Sequence, residues 1–176
     1  MSNIVYIALS LDGYIADKEG DIAWLESVAN PNGGDLGFGE FMAGIDALVM
    51  GRNTFEKVVS FGIDWPYNKP VMLLSNSLKQ LPEGFTGDVR IVNGELKQLV
   101  TSLNQQGYHN LYIDGGITIQ QFLAKELIDE LILTRFPILL GGGAPLFGEL
   151  LHSQSFKHKQ TKVLLNELVQ SHYVRA

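Results

Sequence analysis

The sequence predicts an α/β fold with a largely parallel, mixed central sheet that ends in an antiparallel carboxyl-terminal hairpin. Three observations predict it. Short apolar runs bounded by turn residues recur along the chain, stretches of helical periodicity separate them, and the rhythm changes to two adjacent strand-like runs at the carboxyl end. Strand and helix in alternation place helices on both faces of a parallel sheet, giving three layers, α/β/α.

Ile4 to Leu11 reads as a buried strand, followed by Ile45 to Gly51, Pro70 to Ser75, Leu111 to Asp114 and Leu131 to Phe136. Phe38, Phe41, Met42 and Ile45 fall at i, i+3, i+4 and i+7, one face of a helix. Further helices are expected from about Thr54, over Glu95 to Gln106, and after Gly116. Lys162 to Leu165 and Val169 to Arg175, joined through Asn166-Glu167, form the predicted hairpin. Ser27 to Gly39, rich in Gly and Asn, is the one long loop inside the predicted core, and loops of that length are often functional.

The 176 residues fit a single domain of residues 1–176, because domains usually hold roughly 100 to 200 residues. With 45% hydrophobic and 18% charged residues the composition is that of a folded globular protein. The absence of cysteine excludes disulfides, thiolate metal sites and thiol nucleophiles, and points to a reducing compartment. No signal-peptide pattern is seen in Met1-Ser2-Asn3-Ile4-Val5-Tyr6 and no apolar run approaches the roughly 20 residues that span a bilayer, so a cytoplasmic protein without a membrane partner is expected. A net charge of −6 offers no source for the counterion release that drives nucleic-acid binding. His109, His152, His158 and His172 are scattered without an i, i+4 pair, so no metal site is expected. Neither a Gly-x-Ser-x-Gly elbow nor a P-loop Gly-Lys-Ser/Thr is present.

Two glycine turns carry the chemistry. Leu48-Val49-Met50-Gly51-Arg52-Asn53-Thr54-Phe55-Glu56 runs from strand into helix, with Asn53 and Glu56 at capping-box spacing. Unpaired amides at such a helix start favour an anion, and Arg52 adds a fixed cation. The alternative is a plain turn with a solvated arginine. Tyr112-Ile113-Asp114-Gly115-Gly116-Ile117-Thr118-Ile119-Gln120-Gln121 repeats the arrangement, with Thr118 and Gln121 as its box. Together the turns could hold one pyrophosphate from two sides, although neither is the G-x-G-x-x-G fingerprint.

With Ala8-Leu9-Ser10-Leu11-Asp12-Gly13-Tyr14-Ile15-Ala16, these turns make the chain resemble the dihydrofolate reductase superfamily. The run Asp129 to Thr134 followed by Pro137-Ile138-Leu139-Leu140-Gly141-Gly142-Gly143-Ala144-Pro145-Leu146-Phe147 is similar to the reductase domain of riboflavin biosynthesis, the RibD C-terminal domain. The resemblance covers most of residues 4–150. It implies an NADPH-dependent reductase of a pyrimidine-type compound, 5-amino-6-(5-phosphoribosylamino)uracil first and dihydrofolate second; the alternative is a module that binds NADPH or a pterin without turnover. It implies cofactor contacts at Ala8, Gly13, Tyr14 and Ile15 for the nicotinamide. Gly51, Arg52, Asn53, Thr54 and Ser75 would meet the phosphates, and Asp114, Gly115, Gly116, Ile117 and Thr118 the pyrophosphate. Arg52 favours NADPH over NADH, and the glycine-rich run from Phe136 to Phe147 is the expected homodimer interface.

On the substrate side, Asp35 stands before Gly51-Arg52 as the folate reductases' substrate carboxylate stands before their Gly-Arg. It either hydrogen-bonds an aminopyrimidine edge, with a raised pKa in an apolar slot beside Phe38 and Met42, or simply caps the helix. Asp12 is either a turn former before Gly13 or a substrate contact. Trp24 and Phe38 are expected to line a pocket or to join the core. Two features depart from the folate pattern: Lys69 stands where an arginine is expected, and Ala23-Trp24-Leu25-Glu26 only echoes the Trp-x-Leu-Pro segment.

Overall fold

A computed structural model describes residues 1–176. In chain order the elements are β1 (Ser2–Leu9), β2 (Tyr14–Ala16), a 3-10 turn (Ala23–Ser27), α1 (Phe38–Ala43), β3 (Ala47–Gly51) and α2 (Arg52–Ser60). There follow β4 (Val71–Leu74), β5 (Val89–Val92), α3 (Leu96–Gln105), β6 (Asn110–Asp114) and α4 (Gly116–Ala124). The chain closes with β7 (Glu130–Arg135), β8 (Ala144–Pro145), β9 (Phe156–Leu164) and β10 (Leu168–Arg175). Eight strands form one sheet in the order β5-β4-β3-β6-β1-β7-β10-β9. The first six run parallel, and β10 joins β7 and β9 antiparallel, as the sequence predicts.

Alternation along β3 shows why the central strands read as continuous apolar runs. Ala47 and Val49 face one side, with Ile119 and Phe122 of α4 and Val100 and Leu103 of α3. Leu48 and Met50 face the other, with Phe55 of α2 and Met42 of α1. Residues 47 to 50 are fully buried, as a sheet covered on both faces requires.

The differences from prediction have local causes. Gly44 ends α1 before Ile45, which is buried beyond the helix rather than on it. The first strand ends at Leu9. β5 escaped notice because Val-Arg-Ile-Val is short and its neighbours are polar. β2 and β8 are short pieces joined only to each other. Leu165 and Asn166 both adopt positive φ, the two-residue geometry whose twist suits the β9–β10 hairpin.

What positions the site is a change of direction in the sheet. From β3 the chain passes through α2 to β4 on one side, and from β6 it passes through α4 to β7 on the other. Because β3 and β6 are neighbours, α2 and α4 start side by side at the carboxyl edge and depart to opposite faces. That crevice is the topological switch point at which open α/β sheets take their ligands.

Candidate active site

A cleft of about 530 Å³ lies at this switch point, lined by Gly51, Arg52, Asn53 and Thr54 of the first turn and Gly115, Gly116, Ile117 and Thr118 of the second. Ser75, Asn76 and Ser77 after β4 and Ala144-Pro145 complete the wall. Both helices start without a side-chain cap. The two predicted capping boxes are therefore not formed. Gly51 and Gly115 occupy the N-cap positions, Glu56 binds the Arg52 Nε at 2.6 Å instead, and Thr118 is buried. The consequence favours an anion more than the boxes would, since the amides at both helix starts are left for whatever enters the cleft.

The turns are fitted to each other. A Cβ on Gly51 would lie 2.7 Å from Thr118 Oγ1, and a Cβ on Gly115 would collide with Thr54 Oγ1. Each glycine thus admits the threonine of the opposite helix. Gly115 also has φ of +91°, which side chains rarely adopt. Arg52 reaches across the cleft mouth, its guanidinium donating to Ser77 Oγ at 3.1 Å while Glu56 holds the Nε side.

A second cavity, a slot of about 440 Å³, shares Ile15, Asn53, Thr54, Gly115 and Gly116 with the cleft. Twelve of its nineteen lining residues are hydrophobic, so it is a different kind of site. Tyr6, Ile7 and Ala8 come from β1, Ile22, Trp24 and Leu25 from the 3-10 region, and Lys57, Val58 and Phe61 from α2 and its end. Tyr67, Tyr112 and Asp114 complete it. Burial pushes the Asp114 carboxyl up to about 6, against which the Gly115 amide, donating to Oδ1 at 2.8 Å, acts only partly. Burial also raises Tyr67 and Tyr112, with the nearby Asp114 charge acting in the same direction. The Tyr112 hydroxyl donates to the Tyr6 carbonyl at 3.1 Å.

Several predicted site residues stand elsewhere. Asp35 is exposed and lines neither cavity. Its carboxylate accepts the amides of Gly37 at 3.0 Å and Gly39 at 2.8 Å, which hold its pKa below the usual range rather than above it. The carboxylate thus meets the backbone at the start of α1, where Gly37 is the N-cap residue and Gly39 lies in the first turn. Phe38, partly buried, packs with Tyr6, Phe41 and Tyr112 against the core and lines neither cavity. Asp12 accepts Ser10 Oγ at 2.6 Å and the amides of Leu140 at 3.1 Å and Gly141 at 2.7 Å. These bonds lower its pKa and make it a clamp between the first loop and the glycine-rich run. Gly13 and Tyr14 likewise serve this junction: the Gly13 carbonyl accepts the Leu146 amide at 3.0 Å and Tyr14 pairs with Pro145. Ile15, the next residue, is delivered between the cavities, and Trp24 lines the slot. Lys69 does not reach the slot.

Sequence reasoning missed Lys57, Phe61, Tyr67 and Tyr112 as slot residues. Tyr112 had a signal, since residues two apart on a strand share a face and Asp114 was already singled out. Tyr67 lies in a loop with none.

Comparison with known proteins is decisive for the family. The model of the RibD C-terminal domain matches residues 3–170. The chain belongs to the RibD C-terminal domain family. It is 35% identical to the uncharacterized protein YwjB of Bacillus subtilis (strain 168), over 98% of this chain and 97% of that one. A crystal structure from Shewanella sp. PV-4, of a protein provisionally assigned to riboflavin biosynthesis, is 55% identical with a TM-score of 0.97, covering 100% of this chain and 99% of that one. The Thermotoga maritima diaminohydroxyphosphoribosylaminopyrimidine deaminase/5-amino-6-(5-phosphoribosylamino)uracil reductase shares the fold, with 15% identity and a TM-score of 0.72, and this chain covers 56% of its length.

Proposed function

We propose that this RibD C-terminal domain protein is an NADPH-dependent reductase of a pyrimidine- or pteridine-type heterocycle. The observation that carries the reading is the junction of a glycine-walled, anion-favouring cleft with an apolar slot through five shared residues. The residues present fit a dinucleotide, because both helix starts at the cleft lack a side-chain cap, and the glycines at 51 and 115 let the two turns close up against each other's threonines at its wall. In this reading Gly51 to Thr54, Ser75 and Gly115 to Thr118 hold the pyrophosphate and adenosine phosphates. Arg52, fixed by Glu56 and Ser77, takes the additional phosphate that distinguishes NADPH. NADPH, when bound, supplies the hydride.

The chain's own contribution is placement and a proton. Ile15 shapes the junction and Ala8 the slot wall, and the slot's apolar lining favours an uncharged ring. Asp114, whose pKa of about 6 keeps it partly protonated near neutrality, is the one carboxyl on the slot wall and holds the proton that reduction of a C=N or carbonyl group consumes. The reading includes a homodimer through the glycine-rich segment, where Leu139 and Phe147 are exposed; a monomer mass in solution scattering would remove that part alone.

The test is NADPH oxidation followed at 340 nm with 5-amino-6-(5-phosphoribosylamino)uracil and dihydrofolate offered separately. Substrate-dependent oxidation supports the reductase, and cofactor binding without turnover of any heterocycle would leave a binding module in its place.

A further inference from the structure

The residue that divides the two cavities lies outside the eight-stranded ladder. β2 and β8 pair only with each other, yet Ile15, in the middle of β2, lines both the cleft and the slot. What fixes it is a strap formed by residues 138–146. The Leu11 amide donates to the Ile138 carbonyl at 2.8 Å and the Leu146 amide to the Gly13 carbonyl at 3.0 Å, while Tyr14 and Ala16 pair with Pro145 and Ala144 on either side of Ile15. The strap is itself anchored on α4, where Gln120 donates to the Pro145 carbonyl at 2.8 Å. Its glycines permit the close approach. A Cβ on Gly143, whose φ is +127°, would collide with the Ala16 carbonyl, and one on Gly142 would lie 2.6 Å from the Lys18 side chain. On the opposite side Gly116 receives Ile15, since a Cβ there would lie 2.7 Å from Ile15 Cδ1.

Asp12 is the hub of this arrangement. Its Oδ1 accepts Ser10 Oγ at 2.6 Å and the Leu140 amide at 3.1 Å, and its Oδ2 accepts the Gly141 amide at 2.7 Å. The buried Ser10 hydroxyl passes the restraint on, because its oxygen also accepts the Tyr14 amide at 3.0 Å, one residue before Ile15. Only a carboxylate meets three donors in this way; an asparagine would turn an NH2 group toward one of them. We infer that Asp12 is a positioning residue, which through Ser10 and the glycine strap sets Ile15 against Gly116 and so fixes how cofactor and ring approach each other where cleft and slot meet. The role rests on the reductase reading and adds to it a part of the chain that touches neither reactant. A divider displaced by about an ångström loosens the approach of hydride donor to acceptor, while the helix starts that hold the phosphates stay as they are.

The experiment is a double-mutant cycle of Asp12→Asn and Ile15→Ala. It is read by single-turnover hydride transfer from NADPH to whichever of 5-amino-6-(5-phosphoribosylamino)uracil and dihydrofolate the wild type reduces. Asp12→Asn is expected to slow transfer about tenfold or more when Ile15 is present and less than about twofold when it is alanine, with Kd for NADPH changed by less than about threefold. Gly143→Ala, which displaces the strap without altering Asp12, is expected to slow transfer to a similar extent. In the cofactor-free chain, hydrogen exchange at the Tyr14 and Leu146 amides is expected to rise about tenfold in both variants, with exchange along β3 unchanged. Equal losses from Asp12→Asn in both backgrounds would make Asp12 a direct substrate contact and overturn the inference, as would unaltered exchange or a Gly143→Ala chain with the full rate. A wild type that transfers hydride to neither compound brings down the reductase reading instead, and the exchange measurement, made without cofactor or substrate, still decides whether Asp12 holds the loop.

Discussion

The cleft and the slot meet at Ile15, Asn53, Thr54, Gly115 and Gly116, but they are made of different materials. The cleft is backbone, helix-start amides and small hydroxyls contributed by two strand-to-helix turns, while the slot is aromatic and aliphatic side chains brought from β1, the 3-10 region, α2, the loop before β4, and β6. A site of the first kind depends on local conformation and tolerates little change at its glycines. A site of the second kind depends on which side chains converge, so its specificity can change while the fold stays.

Substitution at Gly115 should separate the two regions most sharply. Gly115→Ala forces an L side chain into φ of +91° and against Thr54. Strain and overlap together should cost about 2 kcal/mol or more, which lowers Tm by roughly 4–8 °C for a chain of this size. NADPH binding should be lost, as read by calorimetry below the new Tm.

Asp114→Asn is the corresponding change in the slot. It should lower kcat/KM by about 10²–10³-fold with little effect on NADPH affinity. In wild type, activity should fall as pH rises through about 6, where Asp114 releases its proton, and that limb should vanish in the variant. Stability should move oppositely. An unfolded aspartate ionises near 3.8 and the folded one near 6, so the folded chain becomes progressively less favoured as pH rises between those values. Asp114→Asn removes that penalty, and its Tm should exceed that of wild type at pH 8 but not at pH 3.5.

These two residues also show what the sequence discloses. Gly115 was legible because strand, glycine pair and helix follow one another within a dozen residues, and a largely parallel sheet with helices on its faces could be anticipated from the same alternation. Asp114 was legible as part of that turn, yet its place on the slot wall was not, because Tyr67, Phe61 and Lys57 come from other segments. Asp35 shows the limit of spacing arguments. Its distance from Gly51 matched a substrate carboxylate, but in the fold its carboxylate meets the amides of Gly37 and Gly39 and lines neither cavity. The capping boxes failed for a related reason: glycine at the N-cap moved each helix start upstream of the predicted one.

A smaller effect is expected at the cleft mouth. Arg52→Gln removes a charge-assisted contact worth about 1.5–3 kcal/mol, so KM for NADPH should rise by about 10- to 100-fold while KM for NADH stays the same. Equal losses for both cofactors would assign Arg52 to the shared pyrophosphate instead. The smallest effect belongs to Asp35→Ala, which should leave kcat/KM within about twofold of wild type because the carboxylate serves the turn before α1 and not a cavity. A loss of turnover there with normal Tm would return Asp35 to the substrate side.

The central claim, that the paired glycine turns form a cofactor cleft opening into the slot, is tested most directly by calorimetric titration of the wild-type chain with NADPH and, in parallel, with NADH. Saturable binding of one NADPH per chain, at least about tenfold tighter than NADH, is the predicted result. No saturable binding of either dinucleotide would contradict the account at its foundation.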